Sequence, residues 1–297
     1  MGRYSIKNLE DLTGIKAHTI RAWENRYEII QPKRTKTNIR YYDDSDLKLL
    51  LNISLLNRYG YKISQIAEMP EEQVRKAVLA VTEADFEEET HIKALTVSMI
   101  ELDEERFDKI ISNCFIRHGV EYTMLNIVFP FLNKVGLLWQ TSSITPCHEH
   151  FISNLIRQKL VVAIDGQKMN VKKESPTYLL FLPENESHEM GLMFAHYCLR
   201  QRNYNVFYLG TNVPFEELKL IYDTVKPTYL LTMAIVEPTG NELLEYFKTL
   251  SESFPDSRII ASGQQVILSK EKIEPYADVM AGPRELINYI DKAAVRD

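Results

Sequence analysis

The sequence predicts a multidomain α and α/β protein: a winged helix-turn-helix head, a helical-bundle cap, and a Rossmann-like, flavodoxin-type domain with a five-stranded parallel sheet. Three observations predict it. Residues 1–62 hold 12 Lys+Arg against 7 Asp+Glu and the remainder 23 against 34, so a basic head of +5 precedes an acidic body of −11. Helical periodicity runs almost unbroken from about Pro70 to Asp165. Beyond the polar segment Asp165–Pro176, short apolar runs alternate with stretches long enough for crossover helices. The expected boundaries are 1–75, 76–168 and 176–297.

In the head, Ile6, Leu9 and Leu12 form one apolar stripe, Thr13-Gly14 breaks it, and Ile15 and Ile20 resume it, which is helix-turn-helix spacing. The segment Gln31–Tyr42 is basic and interleaved with tyrosines, the composition of a wing, and Asp43 then starts a helix with Leu47, Leu50 and Leu51 apolar. The acidic stretch Glu83–Glu89 marks a boundary. Asp103 is the expected N-cap for the run Phe107, Ile110, Ile111, Cys114, Phe115. Five strands are expected at Tyr178–Leu182, Val206–Leu209, Tyr229–Met233, Arg258–Ala261 and Val279–Ala281. Ligands of such sheets bind at the strands' carboxyl ends, which directs attention to the loops after Leu182, Leu209, Met233 and Ala261.

Composition bounds the function. A chain of 297 residues, 45% hydrophobic and 26% charged, has an ordinary soluble composition with room for two or three domains. No apolar run approaches the roughly 20 residues of a membrane helix and the start lacks a secretory core, so a cytoplasmic protein without a membrane partner is expected. Cys114, Cys147 and Cys198 lie far apart without C-x-x-C spacing, which argues against a disulfide framework and a structural zinc site. The net charge of −6 would count against a polyanionic partner, but it conceals the basic head.

The string Tyr4-Ser5-Ile6, Gly14-Ile15, Thr19–Tyr27, Pro32-Lys33-Arg34-Thr35, Arg40-Tyr41-Tyr42 resembles the MerR-type winged helix-turn-helix over about residues 3–69. The resemblance implies that Thr19, Arg21 and Arg26 lie on or just after the helix entering the major groove of double-stranded promoter DNA, with Arg34, Arg40 and Tyr42 gripping flanking phosphates. Trp23 would pack the module's core. Two positions depart from the pattern: Asn38 stands where the wing turn often has Gly, and Lys16 where a small N-cap is usual. Asn tolerates positive φ, so the turn survives.

The loop after Leu182 contains Glu186-Ser187-His188-Glu189-Met190-Gly191. An imidazole there can coordinate a metal through one nitrogen while the acid two residues earlier takes the other N–H and raises its basicity. Gly191 lets backbone approach a bulky ligand. The string is similar to the D-x-H-x-x-G signature of corrinoid-binding Rossmann-like domains, with Glu186 for Asp. That similarity implies cobalamin, as adenosylcobalamin or methylcobalamin, with His188 as the lower ligand of its cobalt. Thr232-Met233-Ala234 stands where S-x-L is usual and Ser262-Gly263 where G-G is usual; Thr232, Ser262 and Gly263 would lie near the buried nucleotide tail.

Upstream, nine residues separate Trp139 from Glu149-His150, which resembles the W-x9-E-H motif of the helical cobalamin cap. Trp139, Glu149 and His150 would cover the upper face of the corrin. The full order of modules resembles the cobalamin-dependent transcriptional repressors of the CarH/CarA/LitR type, which implies a homo-oligomer, dimer or tetramer. Photosensory members carry a His immediately after the Trp, whereas this chain has Gln140, which counts against light sensing. A corrinoid-carrying methyltransferase or mutase subunit is the alternative from another class. Its catalytic TIM barrel needs about 200 to 250 residues, for which this chain has no room, so no enzyme activity is expected. A third reading is a regulator that has lost cobalamin binding, motivated by Glu186, Thr232, Ser262 and Gln140.

Overall fold

The computed structural model describes residues 3–35, 38–84, 88–140, 144–168, 170–171 and 175–294. By internal contacts the chain forms two compact units, residues 1–156 and 157–297.

The first unit opens with α1 (Ile6–Thr13), capped by Ser5 in a capping box with Asn8 and closed by Gly14 in the left-handed region at φ 75°. After the turn comes α2 (Ala17–Tyr27). Lys16 at its N-cap makes no side-chain capping bond; the Glu10 carboxylate of α1 serves instead, accepting from Ala17 N at 3.1 Å and pairing with Lys16 Nζ at 2.9 Å. An acid from the preceding helix thus replaces the small N-cap.

The wing is a two-residue antiparallel hairpin, β1 (Lys33–Arg34) with β2 (Arg40–Tyr41). Asn38 sits at φ 65°, as the wing turn requires, and its side chain accepts from Arg34 Nη1 at 2.7 Å. Next, α3 (Asp44–Arg58) starts from an Asp43–Asp46 capping box and buries Leu47, Leu50 and Leu51. It is followed by α4 (Ile63–Glu68) and α5 (Glu71–Ala84).

The cap begins with α6 (Glu88–Glu101), which packs on α3, and α7 (Glu104–His118), whose N-cap Asp103 accepts from Arg106 N at 3.0 Å. Phe107, Ile110, Ile111 and Cys114 make its buried stripe, and Phe107 meets Phe131 at 5.9 Å between ring centres. A long rod comes next: α8 (Val120–Thr123), a π turn over Met124–Val128, and α9 (Phe129–Gln140). The division between the two units lies inside α10 (Pro146–Asp165). Head and cap, expected as separate modules, share one unit because the leucine-rich α3 packs against both α5 and α6.

The second unit alternates strictly from β3 (Thr177–Phe181) through α11 (Met190–Gln201), β4 (Asn205–Gly210), α12 (Phe215–Val225), β5 (Tyr229–Met233), α13 (Gly240–Ser253) and β6 (Arg258–Ser262). It ends with α14 (Gln264–Leu268), α15 (Lys270–Ile273), β7 (Asp278–Met280) and α16 (Pro283–Ala294). All strand pairs are parallel, in the order β4-β3-β5-β6-β7. Counted along the domain this is 2-1-3-4-5, the flavodoxin-like order, with its switch point between β3 and β5. Each expected strand is present within one residue of the expected ends. The central β5 is buried throughout, and Leu179, Phe181, Leu230 and Ala261 enter the core shared with α13.

Candidate functional site

The loops after β3 and β5 flank the switch point and are joined by one carboxylate. Glu186 is 1% exposed. Its Oε1 accepts from His188 N at 2.8 Å and lies 2.6 Å from His188 Nδ1; Oε2 accepts from Ile235 N at 2.7 Å and Val236 N at 2.8 Å. Burial alone would raise its pKa, but the bonds from His188 and from the backbone of Val236, His188 and Ile235 prevail and hold it at about 2. An ionised carboxylate so held fixes His188 with Nδ1 as the protonated nitrogen, so Nε2 is the nitrogen that would meet a metal. The His188 side chain is 48% exposed. Among the described residues no group of three or more His, Cys, Asp or Glu could hold a metal ion.

The other expected residues of this unit lie along the same carboxyl edge. Thr232, next to last in β5, is fully buried. The Tyr246 phenol of α13 faces it: burial raises the phenol's pKa, and hydrogen bonding with Thr232 opposes that rise. Ser262 donates to the Met280 carbonyl at 3.0 Å, which ties β6 to β7 and gives its hydroxyl a structural task. Gly263 comes next at φ 107°, where a Cβ would stand 2.3 Å from the Ala234 carbonyl oxygen. Only glycine allows this crossing of the loops after β5 and β6. At Gly191 a Cβ would stand 2.9 Å from Met233 Sδ, so a side chain there would need the flexible methionine to move.

Sequence reasoning missed a second carboxylate. Glu189, beside His188, accepts from Arg157 Nε at 2.6 Å and from the Tyr208 hydroxyl at 3.0 Å, and Tyr208 stacks on His196 at 5.0 Å. Burial, with Arg200 adding, lowers the His196 pKa to about 4. The acid spacing was readable; the partners were not, because they come from α10 and β4.

In the first unit, Trp139 lies at the end of α9, and its side chain and that of Gln140 lie outside the described residues. Glu149 is half-buried and His150 exposed in the first turns of α10. Neighbouring His148 is engaged as a cap, its Nδ1 2.9 Å from Thr145 Oγ1.

On the head, Arg21 and Arg26 of α2 and Arg34 and Arg40 of the wing are exposed, and Thr19 is half-buried. Tyr42 is a correction. It is fully buried, pairs by backbone with Tyr4, and donates its hydroxyl to Glu24, so it belongs to the head's core and presents nothing to a phosphate. Trp23 is half-buried, and the core is carried by Leu9, Ile20, Tyr4 and Tyr42.

Two lysines of the cap close the C-terminus of α1. Lys134 Nζ of α9 donates to Leu12 O at 2.8 Å. Lys93 Nζ of α6 donates to Ser54 Oγ at 3.1 Å, and Ser54 donates onward to Thr13 O at 2.7 Å. Cations at the negative end of a helix are favourable, most of all where water is scarce.

Residues 4–73 match the MerR HTH family regulatory proteins and residues 91–163 match the B12 binding domain. The chain is 26% identical over 258 residues to the HTH-type transcriptional repressor CarH of Myxococcus xanthus, covering 85% of each protein. It is 25% identical over 225 residues to CarA of the same organism, a repressor of the same description, covering 75% of this chain and 73% of that one. Among solved structures, the monomethylamine corrinoid protein of Methanosarcina barkeri shares the fold at a TM-score of 0.55 and 15% identity, over 67% of this chain and 96% of that chain. No helix among the described residues is long and apolar enough to cross a membrane.

Proposed function

We propose that this chain, with a MerR-type head over residues 4–73 and a B12-binding domain over residues 91–163, is a cobalamin-responsive DNA-binding transcriptional repressor. The observation that carries the cobalamin assignment is the Glu186–His188 pair at the switch point of the sheet. One imidazole, backed by a buried ionised acid and with no other grouped ligands around it among the described residues, suits a metal that arrives already chelated by its own macrocycle. The buried Thr232 hydroxyl near the carboxyl end of β5 is a second point of fit, for a polar atom of the nucleotide tail.

Cobalamin, when bound, would supply a cobalt centre that can take an imidazole ligand. His188 would hold it through Nε2, and Glu186 would keep that nitrogen unprotonated by accepting the Nδ1 proton. Thr232 would bond the tail, with Gly191 and Gly263 keeping the edge clear of side chains. Trp139, Glu149 and His150 would also hold the corrinoid. Adenosylcobalamin and methylcobalamin are the forms proposed. The exposed Arg21, Arg26, Arg34 and Arg40 would meet promoter DNA. Helix-turn-helix proteins read paired half-sites as dimers, which supports a homo-oligomer, dimer or tetramer, working in the cytoplasm. Cobalamin changes DNA binding only as far as it prefers one assembly over another. The DNA-binding head favours this reading over an enzyme subunit.

The test is titration of the purified chain with adenosylcobalamin, monitored by absorbance, size exclusion and gel shift on its promoter DNA. A base-off, histidine-ligated spectrum that His188→Ala abolishes is expected, with a shift in oligomer size or DNA affinity. Unchanged spectra in the variant would remove the ligand assignment, and DNA binding indifferent to cobalamin would remove the regulatory one.

A further inference from the structure

The loop after β3 is tethered on both sides. Toward β5, Glu186 holds the amides of Ile235 and Val236. Toward β4, on the opposite side of β3 in the sheet, Glu189 accepts from the Tyr208 hydroxyl at 3.0 Å. His188 lies between the two acids in sequence, with its imidazole bonded to the first and its main chain adjoining the second.

Glu189 stands at the N-cap of α11, where a side-chain acceptor ordinarily satisfies the free amides of the helix. It makes no such bond. Its carboxylate turns instead to Tyr208 and to Arg157 Nε, 2.6 Å away in the part of α10 that belongs to the second unit. The two contacts differ in weight. Arg157 is 52% exposed, and an ion pair open to water contributes little. Tyr208 is half-buried with its ring stacked on His196 of α11, and burial, with Glu189 beside it, raises the phenol's pKa, so the hydroxyl stays a donor. A hydroxyl held in place by its own ring thus fixes the N-cap of α11, and the residue directly before that cap is His188.

We propose, resting on the cobalamin reading, that Glu189 and Tyr208 are positioning residues for His188. Glu186 sets which nitrogen the imidazole presents, and the Glu189–Tyr208 bond sets where the main chain presents it. Neither Glu189 nor Tyr208 is a ligand of the metal. Held from both sides, the imidazole meets the metal at a high effective concentration, because little freedom is left for it to lose.

The experiment is a spectral titration of the full chain with adenosylcobalamin, which gives the affinity and, at saturation, the ratio of histidine-ligated to histidine-free bound cobalamin. Tyr208→Phe keeps the ring and its stacking and removes only the hydroxyl. It should lower that ratio about three- to tenfold, less than the roughly 10- to 100-fold usual for a group bonded directly to a ligating histidine. Glu189→Ala should lower it by about as much, and the two together little further, because they remove the same bond. Glu189→Gln, which keeps an acceptor for the hydroxyl, should recover most of the loss. In the cobalamin-free chain, hydrogen exchange over Glu186–Met193 should quicken in Tyr208→Phe. Affinity lost at an unchanged ratio overturns the proposal, since the pair would then support only the fold, and unaltered exchange overturns it as well. A parent that never shows the histidine-ligated spectrum overturns the cobalamin reading and this proposal with it; a ligated parent with unaffected variants overturns this proposal alone.

Discussion

Lys134 donates to the carbonyl oxygen of Leu12 at 2.8 Å, across 122 positions of sequence, so the helix that ends at Trp139 and Gln140 is fastened to the first helix of the DNA-binding head. Burial pushes this ammonium down to about 8, with the nearby Lys93 adding and Glu89 opposing. Between about pH 8 and the ordinary lysine value the unfolded chain binds more protons at this site than the folded one. Stability from this group therefore rises with pH across that window. Urea midpoints of the parent should climb relative to Lys134→Met between about pH 8 and about pH 10; parallel pH profiles would show that the group titrates alike in both states.

The Glu186 carboxylate predicts a joint loss. Glu186→Gln removes the charge that accepts from Ile235, Val236 and His188, and about 1.5–3 kcal/mol of stability should go with it. Cobalamin affinity should fall by about 10- to 100-fold, the usual range for a partner that orients a metal-binding histidine. Chemical denaturation and spectral titration report the two effects separately, and stability lost with affinity intact would restrict Glu186 to anchoring the loop.

Gly263→Ala should destabilise the second unit by at least about 2 kcal/mol, because the added Cβ meets backbone, the Ala234 carbonyl, at a φ of 107°. A denaturation midpoint within error of the parent would mean that the two loops can separate at little cost.

On the head, Arg21→Ala and Arg40→Ala should each weaken DNA binding and lower the salt dependence by about one charge, while stability changes by no more than about 0.5 kcal/mol, as expected for exposed residues. Tyr42→Phe should do the reverse. It loses the hydroxyl bond to Glu24, costing about 1 kcal/mol, and leaves the DNA affinity of the folded protein unchanged. A gel-shift defect in a fully folded Tyr42→Phe protein would return this tyrosine to the DNA surface.

These contrasts mark what the sequence made legible. Strands of the second unit announce themselves because parallel strands buried on both faces become apolar runs, and β5 is readable to the residue. The Glu186–His188 relation was also readable, since two residues of separation leave the pair little freedom. Tyr42 was misread because two adjacent tyrosines follow Arg40 and only the backbone bridge to Tyr4 decides which of them turns inward. The Glu10 cap on α2, the lysines on α1 and the Arg157–Glu189 pair were hidden for a different reason. Each joins two elements by a charge on a long flexible stem, and such stems leave no periodic trace. The division inside α10 was equally silent, because an uninterrupted helix carries no composition shift.

The π turn at Met124–Val128 sets the helical phase of α9. Its closing bond runs from Phe129 N to Met124 O, five residues back, so the rod accommodates one residue beyond α-helical spacing. One residue is about 100° of helical rotation. Deleting it to regularise the rod would swing Lys134 away from Leu12 and carry the positions of Trp139 and Gln140 round with it. For the head and cap of this chain, a single-codon deletion there is thus a larger change than most substitutions: it re-indexes the fastening and the cap wall together.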